Sequence, residues 1–103
     1  MISLKILVLE NGTYGKRLAA ISKRTGTNTK VISFPEGDII NTDVVEKFLS
    51  ENHVSSVCCT HCETSTGVIN PIEKIATTIK KANKEGKLNK QCSENTFLVS
   101  TYY

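Results

Sequence analysis

Three short apolar runs, each followed by a stretch with helical spacing, restrict this chain to few architectures. The first run, residues 4–9 (LKILVL), is apolar enough for a strand buried on both faces. Glu10-Asn11-Gly12-Thr13 breaks it, and Tyr14, Leu18 and Ile21 then recur at helical intervals. Gly26 stands where a left-handed C-terminal cap would end that helix. The second run, residues 30–34, closes at Pro35-Glu36-Gly37-Asp38. Thr42 is placed to cap the next helix, with Asp43 near its positive end and Val45, Phe48 and Leu49 as its buried stripe. The third run, residues 54–60, follows a turn at Asn52-His53. Asn70-Pro71-Ile72-Glu73 then reads as a cap, a proline in the first turn and a glutamate able to reach back. Ile72, Ile75, Ala76 and Ile79 form the stripe of the last helix, and Gly86 is placed to end it.

Strand-then-helix units in succession predict an α/β fold with a mainly parallel sheet and right-handed crossovers. Ligands of such sheets sit beyond the carboxyl ends of the strands. That rule singles out two loops, residues 10–15 and 61–70. The pattern fails after Leu88, where a fourth unit should open on an apolar strand but the chain reads NKQCSENT. Residues 97–103 again look strand-like. The expected organisation is a partial domain over residues 1–88, with a sheet of three contiguous strands, and a divergent tail over 89–103.

At 103 residues the chain is one domain at most. Its net charge of +3 comes from basic residues spread along the chain, densest at Lys80, Lys81, Lys84, Lys87 and Lys90. Without interleaved aromatic or arginine groups, this reads as a solvated helix face and not as a nucleic-acid surface. The apolar N-terminal run is too short for a secretory signal, and no stretch approaches the ~20 apolar residues that span a bilayer. A cytoplasmic location is the default, and Cys58, Cys59, Cys62 and Cys92 are expected as free thiols there.

Several groups of residues invite chemistry. Cys58-Cys59-Thr60-His61-Cys62 carries zinc-type ligands, but strand alternation would send Cys58 and Cys62 one way and Cys59 and His61 the other. No metal site is expected, and Cys58 and Cys59 read as small packed hydrophobes. A Cys62–His61 nucleophile pair is disfavoured because adjacent side chains splay apart. Asn11-Gly12-Thr13-Tyr14-Gly15 lies between a strand and a helix, where phosphates are often bound, and Glu36 is spaced as a ribose-binding acid would be. Only two of the three glycines of a dinucleotide fingerprint are present. The loop HCETSTGVINP, residues 61–71, is rich in hydroxyls and, from composition alone, is an ordinary Ser/Thr turn.

Taken together, LVLENGTYGKRLAAI (residues 7–21) and THCETSTGVINPIEKIA (residues 60–76) resemble the class V, fold-type-I aminotransferases that use pyridoxal 5′-phosphate. The resemblance covers residues 4–88, the middle of that family's large cofactor-binding domain. HCETSTGVINP is similar to the subgroup that moves an amino group from 2-aminoethylphosphonate to pyruvate, giving phosphonoacetaldehyde and alanine. The resemblance implies a homodimeric enzyme with small-molecule substrates, and no nucleic-acid or membrane partner. It places Tyr14 as the aromatic residue stacked on the cofactor ring and Thr64 as the hydroxyl beside the ring's phenolic oxygen. Glu63 and His61 would support the loop rather than move protons. It matches no catalytic residue here. The family's cofactor-bearing lysine and ring-nitrogen acid follow further along, its phosphate loop precedes Met1, and its carboxylate-binding arginine belongs to a C-terminal domain. The expectation is an inactive middle piece of a transaminase. The alternatives are a stand-alone nucleotide- or phosphate-binding module, and a non-catalytic partner of a full-length subunit.

Overall fold

In a computed structural model, residues 5–26, 28–84 and 97–100 are described. The positions Leu4, Gly86 and Cys92, the polar run 89–96 and the chain end 101–103 lie outside them. Strand β1 (Lys5–Glu10) leads to helix α1 (Thr13–Arg24), β2 (Asn28–Ser33) to α2 (Thr42–Glu51), and β3 (Ser56–Thr60) through a small hairpin to α3 (Ile72–Lys84). The hairpin is β4 (Cys62–Glu63) and β5 (Val68–Ile69), paired antiparallel. Strand β6 (Phe97–Ser100) comes last.

The main sheet has the order β2-β1-β3-β6, and each of its pairings is parallel. Val8 of β1 lies opposite Val31 of β2 and Cys58 of β3, which sets the register across its middle. Side-chain alternation then sorts the core. Leu7, Leu9, Val57 and Cys59 face α2 and α3, where Val45, Leu49, Ile75, Ile79 and Ala82 complete the larger cluster. Val8 and Cys58 face the other way, toward Ala19 and Leu18 of α1. Strand β1 is therefore buried on both sides, as its unbroken apolar run requires. Fully burying each leucine of this core stabilises the fold by roughly 1.5–3 kcal/mol.

The α/β class, the parallel pairing and the three crossover helices agree with the sequence reading, and four local expectations are corrected. The cap of α2 is Asn41, whose Oδ1 accepts the Asp43 N–H at 2.9 Å, so Thr42 becomes the first residue of the helix. Asn70 spends its side chain on tertiary bonds described below, and the Pro71 carbonyl accepts the first helical N–H, that of Ile75, at 2.9 Å. The sheet has four strands and not three: residues 97–100, expected to be strand-like, pair with β3 and place Leu98 opposite Cys58. The loop at 61–70 is a two-stranded hairpin and not an open Ser/Thr turn, with Gly67 at φ 77 closing it. Gly26, at φ 80, ends α1 as expected, its N–H donating to the Lys23 carbonyl. Among the described residues no helix is long and apolar enough to cross a membrane.

Candidate cofactor-facing edge

The loops after β1, β2 and β3 meet at the carboxyl edge of the sheet, and two buried polar networks join them. The first is a pair of asparagines. Asn11 Nδ2 donates to Asn70 Oδ1 at 2.7 Å, and Asn70 Nδ2 donates back to Asn11 Oδ1 at 3.2 Å. Asn70 Nδ2 also donates to the Thr60 carbonyl at 2.7 Å, and its Oδ1 accepts the Ile40 N–H at 3.2 Å. Asn11 Nδ2 reaches the Asp38 carbonyl at 2.8 Å. Both residues are 1% exposed, so nearly every one of these bonds substitutes for water.

The second network is centred on Glu63, which is fully buried. Its Oε1 accepts the Gly15 N–H at 2.8 Å, and its Oε2 accepts the Tyr14 N–H at 3.2 Å. Ser65 donates its hydroxyl to Oε2 at 2.7 Å and accepts the Thr13 N–H at 3.1 Å. A carboxylate at the start of a helix is stabilised both by these N–H groups and by the positive end of the helix dipole. Glu10 is also buried. Its Oε2 accepts the Ser33 hydroxyl at 2.7 Å, while Oε1 and the Thr60 hydroxyl oxygen are buried without a partner among the described residues.

Tyr14 is half-buried in the first turn of α1, with the Arg17 guanidinium carbon 5.7 Å from its ring centroid. Thr64 is exposed on the turn of the hairpin, one residue beyond Glu63. The fold thus brings the two residues expected beside a cofactor to one edge, linked through a single carboxylate. In chemical kind, the flat aromatic surface of Tyr14 and the hydroxyl of Thr64 are groups that would suit one flank of a pyridine ring. They do not provide a phosphate cradle. Glu63 and Ser65 already occupy the N–H groups of Thr13, Tyr14 and Gly15. The reading of residues 11–15 as a nucleotide or phosphate loop is therefore corrected, because an internal anion fills that helix end. Glu36 pairs on the surface with Lys16 at 3.2 Å, and this contact holds the lysine protonated to higher pH than usual.

Cys58 and Cys59 are buried on opposite faces of the sheet and pack as hydrophobes. Burial pushes both thiols up, Cys59 to about 12, so neither offers a thiolate near neutrality. His61 is exposed and borders a shallow groove with Pro71, Ile72, Glu73 and Lys74. Among the described residues no three His, Cys, Asp or Glu side chains gather as metal ligands would.

The sequence reading gave Glu63 a supporting role in its loop, which the geometry extends: the residue also caps α1. It missed the Asn11–Asn70 pair. The signal available was weak, since both asparagines lie at strand-to-helix junctions where capping is the ordinary assignment.

The family model described as aminotransferase class-V matches residues 4–85. A 2-aminoethylphosphonate–pyruvate transaminase of Phocaeicola vulgatus is 34% identical over 82 residues, 79% of this chain and 23% of that protein. Its namesake from Pseudomonas putida is 42% identical over 81 residues, 78% of this chain and 22% of that protein. The chain thus spans less than a quarter of the length of these curated relatives. The alanine–glyoxylate aminotransferase of Nostoc sp. superposes with a TM-score of 0.73 at 24% identity, over 94% of this chain and 23% of that one. The pyridoxamine–pyruvate aminotransferase of Mesorhizobium loti gives 0.72 at 24%, over 95% and 23%. At such identities these two structures speak to the fold.

Proposed function

This chain belongs to the class-V aminotransferase family, and we propose that it forms one wall of a pyridoxal 5′-phosphate site in a transaminase that moves the amino group of 2-aminoethylphosphonate to pyruvate. The observation that carries this reading is the Glu63 carboxylate, which holds the Tyr14 backbone and leads directly into Thr64. Tyr14 would lie against the ring, burying it and fixing its plane, and Thr64 would hydrogen-bond the ring's phenolic oxygen. Asn11 and Asn70 keep the two loops at a constant separation while those contacts are made. When bound, the cofactor supplies the electron sink for amino transfer. The names of the curated relatives support the donor and acceptor; the residues described here contribute positioning and no proton-transfer group. The chain alone is therefore proposed to be inactive.

Grafting tests the reading. Residues 4–85 replace the matching segment of the P. putida enzyme, and alanine formation from pyruvate is compared between 2-aminoethylphosphonate and other amines. The graft is expected to keep its preference for the phosphonate. Tyr14→Ala within it is expected to weaken cofactor retention by roughly 2- to 12-fold, the range a stacked ring contact supplies. A loaded graft indifferent to Tyr14→Ala, or equally active on unrelated amines, would refute the reading. The 103-residue chain, mixed with pyridoxal phosphate and reduced with borohydride, should carry no label confined to one lysine.

A further inference from the structure

We infer that Glu63 is the positioning residue of this edge, a charged strut that sets where the Tyr14 ring stands relative to the Thr64 turn. The inference rests on the reading of Tyr14 and Thr64 as cofactor neighbours and adds a requirement to it, that residue 63 be a carboxylate.

Helix α1 does not organise its own start. Its cap position is Gly12, which has no side chain to accept a bond, and its first turn holds no acidic residue. The opening amides of a helix have no partner within it, so those of Thr13, Tyr14 and Gly15 depend on acceptors from elsewhere. The acceptors come from the hairpin, with Glu63 lying 49 residues beyond Tyr14. Three donors converge on the two oxygens of Glu63: Gly15 N–H, Tyr14 N–H and the Ser65 hydroxyl. The main-chain carbonyl of the same residue accepts the N–H groups of Thr66 at 3.0 Å and Gly67 at 2.8 Å, which folds the turn carrying Thr64. One residue therefore holds Tyr14 through its side chain and the Thr64 turn through its backbone.

Gly12 makes room for this side chain, since a Cβ there would stand 2.5 Å from Glu63 Cγ and 2.6 Å from Cδ. Glutamine has the same shape but offers one acceptor oxygen and one NH2 group. The Ser65 hydroxyl can rotate to suit an NH2, whereas the backbone amides of Tyr14 and Gly15 cannot. One of those two amides must then face a donor. The Tyr14 amide is the one expected to lose its acceptor, because its bond to Glu63 is the longer of the two.

The test uses the full chain as wild type, as Glu63→Gln, and as Val45→Ala, a destabilised control buried on α2. Without cofactor, hydrogen exchange is followed at the Tyr14 and Gly15 amides. Glu63→Gln is expected to speed exchange at Tyr14 about tenfold more than at Gly15, a local asymmetry that general destabilisation does not produce. In the P. putida graft carrying residues 4–85, titrated with pyridoxal 5′-phosphate and followed by absorbance, Glu63→Gln is expected to weaken binding by about tenfold and Val45→Ala by less than about twofold. Equal acceleration at both amides, or equal loss of binding in the two variants, overturns the inference. If instead Tyr14→Ala leaves pyridoxal phosphate binding unchanged, the cofactor reading falls, and the exchange arm still decides whether residue 63 holds the helix. Should Glu63→Gln fail to fold, Ser65→Ala takes its place. It removes one donor and the Thr13 acceptor, and unchanged exchange across residues 13–15 would equally overturn the inference.

Discussion

Replacing Asn70 with alanine would remove the group that joins all three loops at the carboxyl edge. In the native chain its amide serves Asn11, the Thr60 carbonyl and the Ile40 N–H, at 1% exposure. Truncation takes a donor from the Thr60 carbonyl, an acceptor from the Ile40 N–H and part of the pairing of Asn11, which keeps its bond to the Asp38 carbonyl. Each buried group left without a partner costs about 1–3 kcal/mol, and water entering the vacated space offsets some of it, so a loss of about 3–5 kcal/mol is expected. That is a large share of the ~5–15 kcal/mol by which domains are stable. Urea unfolding followed by circular dichroism should show a much lower midpoint at an unchanged slope. A loss below about 1 kcal/mol would refute the claim that this network is dry and continuous. Asn70→Asp sharpens the test, because it keeps the acceptor and replaces the donor facing the Thr60 carbonyl. Burial against that carbonyl should raise the new carboxyl above its unfolded value. Stability is then lost as pH rises through the raised value and regained below about 4, the unfolded pKa, beyond the pH dependence of Asn70→Ala. Coincident pH profiles for the two variants would contradict that placement.

Other measurements test the packing nearby. Gly12→Ala would set a Cβ 2.5 Å from Glu63 Cγ, and with that side chain held by three hydrogen bonds the overpacking should cost about 1–3 kcal/mol in urea unfolding. Because φ at Gly12 is 174, an extended value any residue adopts, a neutral result would mean that Glu63 can move aside. With its thiol pushed up to about 12, Cys59 is ionised at pH 8 to only about one part in ten thousand. Thiol reagents should therefore label the part-exposed Cys62 in the folded chain and reach Cys59 only on unfolding; early labelling of Cys59 would disprove its burial. The same shift carries a sign. A thiol raised in the folded state contributes stability that is complete below the ordinary value of 9.0 and is lost as pH rises toward about 12. Cys59→Ala should flatten that part of the stability profile.

The order of elements and their faces was legible because it is local. An apolar run such as residues 5–9 has few destinations other than a strand covered on both sides, and Ile72, Ile75 and Ile79 at helical spacing can bury only one stripe. The family was legible in the strings around Tyr14 and Thr64, which carry side-chain identity at fixed spacing. What the sequence left open was how polar side chains would be spent. Asn70 and Thr42 both stood where capping residues stand, and either could serve locally. Only the meeting of the loops decided that Asn70 turns inward to Asn11, Thr60 and Ile40, leaving Pro71 to open α3, while Asn41 caps α2. The strand character of residues 97–100 was legible but their place in the sheet was not: the polar run before Phe97 breaks the repeat along the sequence, whereas pairing with β3 depends on the edge that β3 presents in space. Glu63 shows the division most clearly. Its place in the motif is written in the chain, but its role as the cap of a helix that begins 50 residues earlier exists only once β1 and β3 lie side by side and bring Gly12 against it.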